Sequence, residues 1–416
     1  MTALSSRAEL TPTASDHDFS GVHAALRGYV DRGVLPGVSH AVMRGRDLID
    51  IGCTGWADVE DRVALRTDHL FRAMSNTKLV TSIAALLLWE SGRYDLDEPA
   101  ARFLPQLAKL RVLKPGATRI DDTEALATPI TVRHLFTHSS GLSYGLLDPG
   151  TLLFKAYNDR KMISNLRSTA QMVDLLTEMP LKFQPGTGWE YSVATDVLGR
   201  LVEILSGQTL DVFFRERIFQ PLGMADTGFV IPEAQQHRLV PYYGGANPLD
   251  PNEPGLKKLV GFPHPDANLK PLPRISGGGG LVTSLPDMVT LLRSLIVGSS
   301  RSAEDPPTIL KPETLALMMQ NHLPAGQNIG FATTGEVHDR GFGLGGCVTL
   351  KPTHADPAGS TGEFQWGGLA GTHWWISPRT GLSGVLMAQR HMGFWNPFAF
   401  DFKQRVYAAC LGVNGA

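Results

Sequence analysis

Apolar residues near the amino terminus recur first at helical spacing and then at strand spacing. Residues 18–32 carry one apolar face, which predicts an amphipathic helix. The positions on that face are Phe19, Val22, Leu26 and Val30. Residues 38–44 and 48–53 then read as a β-hairpin. The pattern indicates a helix that leads directly into a sheet.

The middle of the chain is mostly helical in its apolar pattern. Helices are predicted at residues 79–91, from 131 to 136, and at 169–179, 194–206, 209–219 and 285–297. Gly207 is a typical helix terminator, and Thr209 is a plausible N-cap for the helix that follows it.

Residues 232–273 interrupt this helical pattern with many prolines and few periodic apolar positions. The prolines are Pro232, Pro241, Pro248, Pro251, Pro254, Pro263, Pro265, Pro271 and Pro273. Proline breaks helices, and a long loop in a compact protein is often functional. We expect this segment to be an extended loop that borders the site or packs over the sheet.

Strand patterns return from Phe342 onward. The clearest hairpin pairs residues 369–376 with 382–388 across a turn at 377–381, and a last helix is predicted at 397–411. This order predicts an α/β fold of the α+β type, with a central antiparallel sheet built from both termini and flanked by helices. We expect a sheet domain from residues 1–95 and 275–416, a mainly helical domain from 96–274, and an active site at their interface.

Composition excludes several classes of partner. The 416 residues include 38 Lys and Arg against 40 Asp and Glu, so the net charge of −2 gives no field for binding nucleic acid or an anionic membrane. Three widely spaced cysteines without CxxC spacing argue against a disulfide framework or a zinc site. Residues 1–20 lack the apolar core of a signal peptide, and no apolar run is long enough to span a membrane. We therefore expect a cytoplasmic protein with a small-molecule partner.

Candidate chemistry begins at Met74-Ser75-Asn76-Thr77-Lys78. A helix starting near Ser75 puts Ser75 and Lys78 one turn apart, with Cβ atoms about 5–6 Å from each other. The Lys78 amine can then reach the Ser75 hydroxyl, and free N–H groups at the helix start favour an oxyanion there. The alternative is an N-cap serine followed by an ordinary surface lysine.

Two further stretches bear on Ser75. A Pro/Gly turn at residues 184–190 presents Tyr191, and an ammonium nearby would lower the pKa of its phenol enough for it to act as a base. Gly367 and Gly368 interrupt a strand, which suggests close approach of a chain or ligand and makes the Leu369 N–H a candidate oxyanion donor. The alternatives are a tyrosine packed at a helix start and a β-bulge.

Other motifs point to weaker hypotheses. His134 and His138 are four residues apart, but without HExxH spacing or a third ligand we expect hydrogen-bonded structural histidines and no metal. Residues 141–145 match Gly-x-Ser-x-Gly around Ser143, yet the preceding segment reads as helix where a nucleophile elbow needs a strand. Residues 341–346 match GxGxxG but precede a strand pattern, which argues against dinucleotide binding. No cofactor is expected.

Three boxes resemble those of family VIII carboxylesterases, the esterase relatives of class C β-lactamases and penicillin-binding proteins. They are Ser75-Asn76-Thr77-Lys78, Tyr191-Ser192-Val193 and Trp366-Gly367-Gly368. Segments 137–142, 185–189, 220–224 and 276–281 match the family pattern in the same order. The resemblance implies a β-lactamase/transpeptidase-like fold, Ser75 as nucleophile, Lys78 and Tyr191 as proton-transfer partners, and the N–H groups of Ser75 and Leu369 as the oxyanion hole.

Departures from the lactamase pattern narrow the expected substrate. Trp366 stands where lactamases carry the lysine of Lys-Thr-Gly, and Val193 stands where class C lactamases carry an asparagine. Both changes remove polar recognition, so we expect Trp366, Gly367, Gly368 and Val193 to border a pocket for neutral esters. The expected activity is ester hydrolysis through an acyl-enzyme, with weak β-lactam hydrolysis as a side activity. A β-lactamase, a D-amino-acid peptidase, an acyltransferase and a non-turnover penicillin sensor are the alternatives, and either Lys78 or Tyr191 can be the general base.

Overall fold

An eight-stranded antiparallel sheet forms the centre of the structure, a computed structural model that describes residues 10–247, 250–298, 305–331, 335–391 and 397–412. Residues 1–9 of the amino-terminal segment and Pro248 of the proline-rich loop lie outside the described residues. The described strands are β1 (Gly37–Arg44), β2 (Asp47–Asp58), β3 (Val63–Ala64), β4 (Leu70–Arg72), β5 (Arg111–Leu113), β6 (Thr123–Ala125), β7 (Tyr243–Gly245), β8 (Leu256–Lys258), β9 (Val282–Ser284), β10 (Ile329–Phe331), β11 (Gly335–Val337), β12 (Arg340–Phe342), β13 (Cys347–Thr349), β14 (Phe364–Gly367), β15 (His373–Ile376) and β16 (Leu382–Met387).

Both ends of the chain build the central sheet. Its strand order is β12-β13-β14-β15-β16-β1-β2-β3, and the late strand β16 pairs antiparallel with the early strand β1, with Ala41 opposite Val385. The remaining strands form two-stranded ribbons, including β4 with β9. The predicted fold class is therefore confirmed, whereas the division into two domains stays a prediction.

Helices cover both faces of the sheet. The described α-helices are α1 (Ser20–Asp31), α2 (Thr77–Glu90), α3 (Val132–Thr137), α4 (Leu152–Asp159), α5 (Thr169–Leu175), α6 (Ala194–Ser206), α7 (Leu210–Phe214), α8 (Gln220–Leu222), α9 (Leu285–Ser294), α10 (Pro312–Met318) and α11 (Pro397–Leu411). On one face α1 packs against α11, and alternate β1 residues such as Val42 join their apolar cluster. The intervening β1 residues Ala41 and Met43 face the larger core that contains α2 and α9.

Most predicted helices form, with differences at their ends. The helix at 194–206 has the predicted bounds and ends on Gly207 with a left-handed φ of 71°. The helix predicted at 285–297 already ends at Ser294, and the one at 209–219 changes from α to π geometry over Arg215–Phe219. Thr209 occupies the N-cap position, but its side chain makes no capping hydrogen bond.

The strand predicted at residues 369–376 begins four residues later than expected. Strand β15 begins at His373, and residues 368–372 form a turn between β14 and β15. The turn closes through a hydrogen bond from the Gly368 N–H to the Thr372 carbonyl, 2.7 Å. An apolar run that includes Leu369 looks like strand in the sequence, but its backbone is used to turn the chain.

No helix in the described part of the chain has both the length and the apolarity that a membrane span requires.

Candidate active site

Ser75 lies at a sharp junction between strand β4 and helix α2. A 3₁₀ turn over Met74–Asn76 precedes the helix, and Met74 adopts a left-handed φ of 49°. Side-chain-bearing residues rarely occupy this region, and such strain persists where the surrounding structure imposes it. The Ser75 N–H lies in the first turn of the helical segment, where backbone donors lack acceptors within the helix.

Tyr191 and Lys78 both reach the Ser75 hydroxyl. The Tyr191 hydroxyl donates a hydrogen bond to Ser75 Oγ at 2.7 Å, and Lys78 Nζ lies 3.5 Å from the same oxygen. Lys78 Nζ also donates to the Gly278 carbonyl at 2.7 Å and lies 4.6 Å from the centre of the Tyr191 ring. The three predicted catalytic side chains therefore meet at one point.

Burial sets the charge states expected of Lys78 and Tyr191. Lys78 is 1% exposed, and its burial lowers the pKa of the amine, although electrostatic interactions with Tyr144 and Asp196 act in the opposite direction. Burial also raises the pKa of Tyr191, and the hydrogen bond to Ser75 offsets this only in part. The expected lowering of the Tyr191 pKa is not found, because burial is the largest influence and raises this pKa. The directions favour a neutral amine beside a protonated phenol.

A buried ion pair lies next to Lys78. Asp196 is fully buried, and its Oδ1 accepts hydrogen bonds from the Ser276 hydroxyl at 2.7 Å and from the Gly278 N–H at 3.3 Å. Arg274 lies 3.1 Å from the same oxygen, so the carboxylate and guanidinium neutralise each other. Asp196 thereby holds the Gly278 backbone, whose carbonyl is the acceptor for Lys78.

Gly368 brings the β14–β15 turn against the segment before Ser75. A Cβ at Gly368 would lie 2.3 Å from Thr372 Oγ1 and 2.7 Å from the Ala73 carbonyl oxygen. The Thr372 hydroxyl donates to that carbonyl at 3.1 Å. The glycine is therefore required by close approach of the chain's own backbone. The next residue, Leu369, lines the same cavity as Ser75, and in the described part of the chain its N–H donates no hydrogen bond.

The predicted substrate-contacting residues lie beneath the site. Gly367 ends β14 opposite His373, and the indole N–H of Trp366 lies 3.5 Å from the Tyr191 hydroxyl. Val193 is fully buried and donates its N–H to the Ser143 carbonyl at 3.1 Å. These three residues and Gly368 are absent from the cavity lining, which makes their contact with substrate a prediction that depends on how deeply the substrate enters.

A cavity of about 850 Å³ opens in front of Ser75. Much of its lining is apolar and includes Leu146, Ile163, Phe229 and Val230. Residues 262–264 and 270–272 of the proline-rich loop form part of the wall, so this loop borders the site as expected. The volume far exceeds the space that a short ester needs and lies within the range of ligand pockets.

The two histidines of residues 134–138 are structural, as predicted. His134 completes a capping box with Thr131 at the start of α3. His138 is buried at the end of that helix, where Nδ1 accepts a hydrogen bond from the Ser192 N–H at 3.2 Å and the ring lies 4.9 Å from that of Tyr191. Burial lowers the pKa of His138 well below its usual range, so it stays neutral.

The other two motifs have the contexts that were expected. Ser143 is fully buried, and its hydroxyl points to Glu190 at 3.3 Å and Asp148 at 3.4 Å, with no strand before it. The glycine motif at residues 341–346 runs into strand β13, as its apolar pattern predicts.

Sequence reasoning missed several residues around Lys78. Gly278 and Ser276 were noted only as part of a matching phrase, and Asp196 and Arg274 were not singled out at all. Tyr144, inside the Gly-x-Ser-x-Gly motif, stacks on the Tyr191 ring with centres 5.6 Å apart. An acidic residue on the buried face of the 194–206 helix was the available signal, since such residues are seldom buried without a partner.

The sequence profile of the family described as Beta-lactamase matches residues 22–396, most of the chain. The chain belongs to the β-lactamase family. It is 32% identical to Esterase EstB of Burkholderia gladioli over 422 aligned residues, covering 96% of this chain and 99% of that protein. Lovastatin esterase of Penicillium rubens is 35% identical over 359 residues, covering 81% and 84% of the two chains.

A solved structure supports the same family assignment. EstCE1, a hydrolase with promiscuous acyltransferase activity, superimposes with a TM-score of 0.75 at 27% identity and covers 93% of this chain and 97% of its own. Members of the β-lactamase family that hydrolyse esters are therefore similar to this chain over nearly its whole length.

Proposed function

We propose that the chain is a carboxylesterase in which Ser75 attacks the carbonyl carbon of a neutral ester. The observation that carries this proposal is that Tyr191 and Lys78 lie 2.7 and 3.5 Å from Ser75 Oγ, and that Ser75 lines a largely apolar cavity. Full-length similarity to proteins named as esterases supports the same reaction class. A small-molecule ester is the proposed partner, and a cytoplasmic location remains a prediction from the sequence.

Lys78 is the proposed general base. Ser75 Oγ accepts a hydrogen bond from Tyr191, which leaves the serine proton free to point toward Lys78 Nζ. As the bond from Oγ to the acyl carbon forms, this proton passes to the neutral amine, and the N–H groups of Ser75 and Leu369 stabilise the oxyanion. The leaving alcohol takes up a proton through Lys78 and Tyr191, and water then releases the acid by the reverse path.

Trp366 and Val193 support a preference for uncharged substrates. Each places an apolar side chain where the lactamase pattern has a polar group. Trp366 is buried beside Tyr191, and Val193 is buried beside Ser143. A substrate carboxylate near Trp366 would lose its hydration without gaining a cation. We therefore propose that neutral esters react faster than β-lactams at this site.

A direct comparison of substrates tests this proposal. We expect kcat/KM for short and medium p-nitrophenyl esters to exceed that for a chromogenic cephalosporin by roughly two orders of magnitude or more, since a lost charge contact costs on the order of 2–4 kcal/mol. Intact-mass measurement after rapid quenching should show an acyl adduct on the protein. Faster cephalosporin turnover would favour a β-lactamase, and a stable adduct without turnover would favour a sensor.

Acyl transfer to an alcohol is a second candidate function. The cavity of about 850 Å³ has room for an acceptor beside the acyl group, and the similar protein EstCE1 is described as having promiscuous acyltransferase activity. Product analysis with a competing alcohol measures how the acyl-enzyme partitions between water and the alcohol. Ester products in excess of the free acid, at alcohol concentrations far below that of water, would make transfer the main activity.

The pH dependence follows from the lowered pKa of Lys78. Because the amine must be neutral to accept the serine proton, kcat/KM should rise with pH through a midpoint below the usual lysine value of about 10.4. The raised pKa of Tyr191 keeps the phenol protonated through that rise. Rates with an uncharged ester, measured beside the ultraviolet absorbance of ionised tyrosine, check both statements. A tyrosinate signal that grows in parallel with activity and is lost in Tyr191→Phe would instead assign the base to Tyr191.

A further inference from the structure

A second cluster of ligating side chains lies on the face of the sheet opposite Ser75. His40 in β1 shares its side of the sheet with Val42, which packs against α1 and α11, whereas Ala41 and Met43 face the core around α2. Asp50 in β2 and His23 in α1 meet His40 on that side. None of the three side chains lines the cavity, and none takes part in the proposed ester chemistry.

The register of the hairpin creates space for this cluster. His40 lies opposite Gly52, and Asp50 lies opposite Val42 two positions away on the same face. A Cβ at Gly52 would lie 3.0 Å from His40 Cε1, so the imidazole extends across the glycine toward Asp50. His40 Nε2 reaches Asp50 Oδ2 at 2.9 Å. His23 Nε2 approaches from α1 and reaches the same oxygen at 3.0 Å.

We propose that His23, His40 and Asp50 bind a divalent transition-metal ion of the Zn²⁺ class. Two imidazole nitrogens and one carboxylate oxygen, all within 4.8 Å of one another, form the donor set that such ions prefer. The side chains of His40 and Asp50 are 5% and 11% exposed, so two ligands are held in place by packing. The His23 side chain is 49% exposed, which gives the ion an entry path and leaves an open position for water.

Hydrogen bonding in the metal-free cluster sets the expected affinity. Without metal, each Nε2 carries a proton that it donates to Asp50, and the ion replaces both protons. The His40 proton must then move to Nδ1, which is buried and has no partner in the described residues. This unpaired donor weakens binding, so we expect a dissociation constant of roughly micromolar order, weaker than a closed structural zinc site.

Metal titration of the full chain tests the proposal. Zn²⁺ at about a hundredfold excess over its dissociation constant should raise Tm by roughly 3 °C, and Co²⁺ should give a visible absorption band of a low-symmetry N/O site. His23→Gln removes an accessible ligand without opening the core, and it should weaken Zn²⁺ binding at least about tenfold. Ester hydrolysis should be unchanged in this variant, because the cluster lies across the sheet from Ser75.

His338→Gln is the matched control. His338 is exposed and lies 3.6 Å from Glu336, and the described residues offer no third ligand to this histidine–carboxylate pair. It should leave both the Tm shift and the cobalt band unchanged. Absence of saturable binding in the metal-free wild-type chain up to roughly millimolar Zn²⁺ would overturn the proposal. Binding that survives both His23→Gln and Asp50→Asn would also overturn it, because the ion would then be held elsewhere.

Discussion

Replacing Ser75 by alanine is expected to lower kcat for p-nitrophenyl ester hydrolysis by roughly four to six orders of magnitude. The substitution removes the oxygen that accepts the 2.7 Å hydrogen bond from Tyr191 and that we propose forms the acyl bond. The cavity and the Leu369 N–H remain, so the residual rate measures what binding and the proposed oxyanion hole contribute alone. Steady-state kinetics and intact-mass detection of the acyl adduct provide the measurement, and the adduct should be absent from the variant.

Ser143→Ala is the matched control for this experiment. Ser143 belongs to the competing Gly-x-Ser-x-Gly motif, is fully buried, and hydrogen-bonds to two carboxylates, those of Glu190 and Asp148. Its loss should cost about 1–2 kcal/mol of unfolding free energy while kcat stays within about tenfold of wild type. Near-normal hydrolysis by Ser75→Ala, together with loss of activity in Ser143→Ala, would show that the nucleophile is misassigned.

Replacing Lys78 by methionine is expected to lower kcat/KM by roughly two to four orders of magnitude, the usual contribution of a general base. Lys78 is one of the largest fully buried side chains among the described residues, and methionine has a similar length without an amine to desolvate. Loss of the hydrogen bond to the Gly278 carbonyl opposes this gain, so we expect Tm to change by no more than a few degrees. Kinetics and thermal unfolding on the same preparation separate lost chemistry from lost fold.

Two companion variants make the result for Lys78 decisive. Lys114→Met removes a lysine that is 52% exposed and paired with Asp122, and it should leave kcat/KM unchanged. Tyr191→Phe keeps the ring stacked on Tyr144 but removes the hydroxyl that donates to Ser75. If Lys78→Met retained substantial activity while Tyr191→Phe lost nearly all of it, Tyr191 would be the base.

The metal-binding proposal and the esterase proposal can fail independently. Zinc binding is read from Tm and from the cobalt spectrum, neither of which depends on Ser75. Ester hydrolysis is read in metal-free buffer, where His23 and His40 hydrogen-bond to Asp50. A negative result for one proposal therefore does not count against the other.

The sequence by itself determined those parts of the protein that depend on neighbours in the chain. Helix α6 ends at Gly207 because glycine tolerates the left-handed conformation that stops a helix. Lys78 lies near Ser75 because both occupy one helical turn. The proline-rich segment could not become a core helix, because proline removes the backbone donor that a helix needs. Each of these features depends on residues that are neighbours in the sequence, and not on where the segment packs in the fold.

Only the tertiary structure decided which distant residues meet and what charge they carry. Tyr191 hydrogen-bonds to Ser75 although the two residues are 116 positions apart in the sequence. Gly368 lies close to the Ala73 carbonyl because the β14–β15 turn packs against the segment that precedes Ser75. The apolar run at residues 369–372 predicted strand, yet its backbone was needed for a turn. Burial lowers the pKa of Lys78 and raises that of Tyr191, and burial depends on the whole surrounding core. The contact between Ser75 and Lys78 therefore follows from the spacing of the sequence, whereas the pKa shifts of Lys78 and Tyr191 follow from the packing around them, since burial is the largest influence on both.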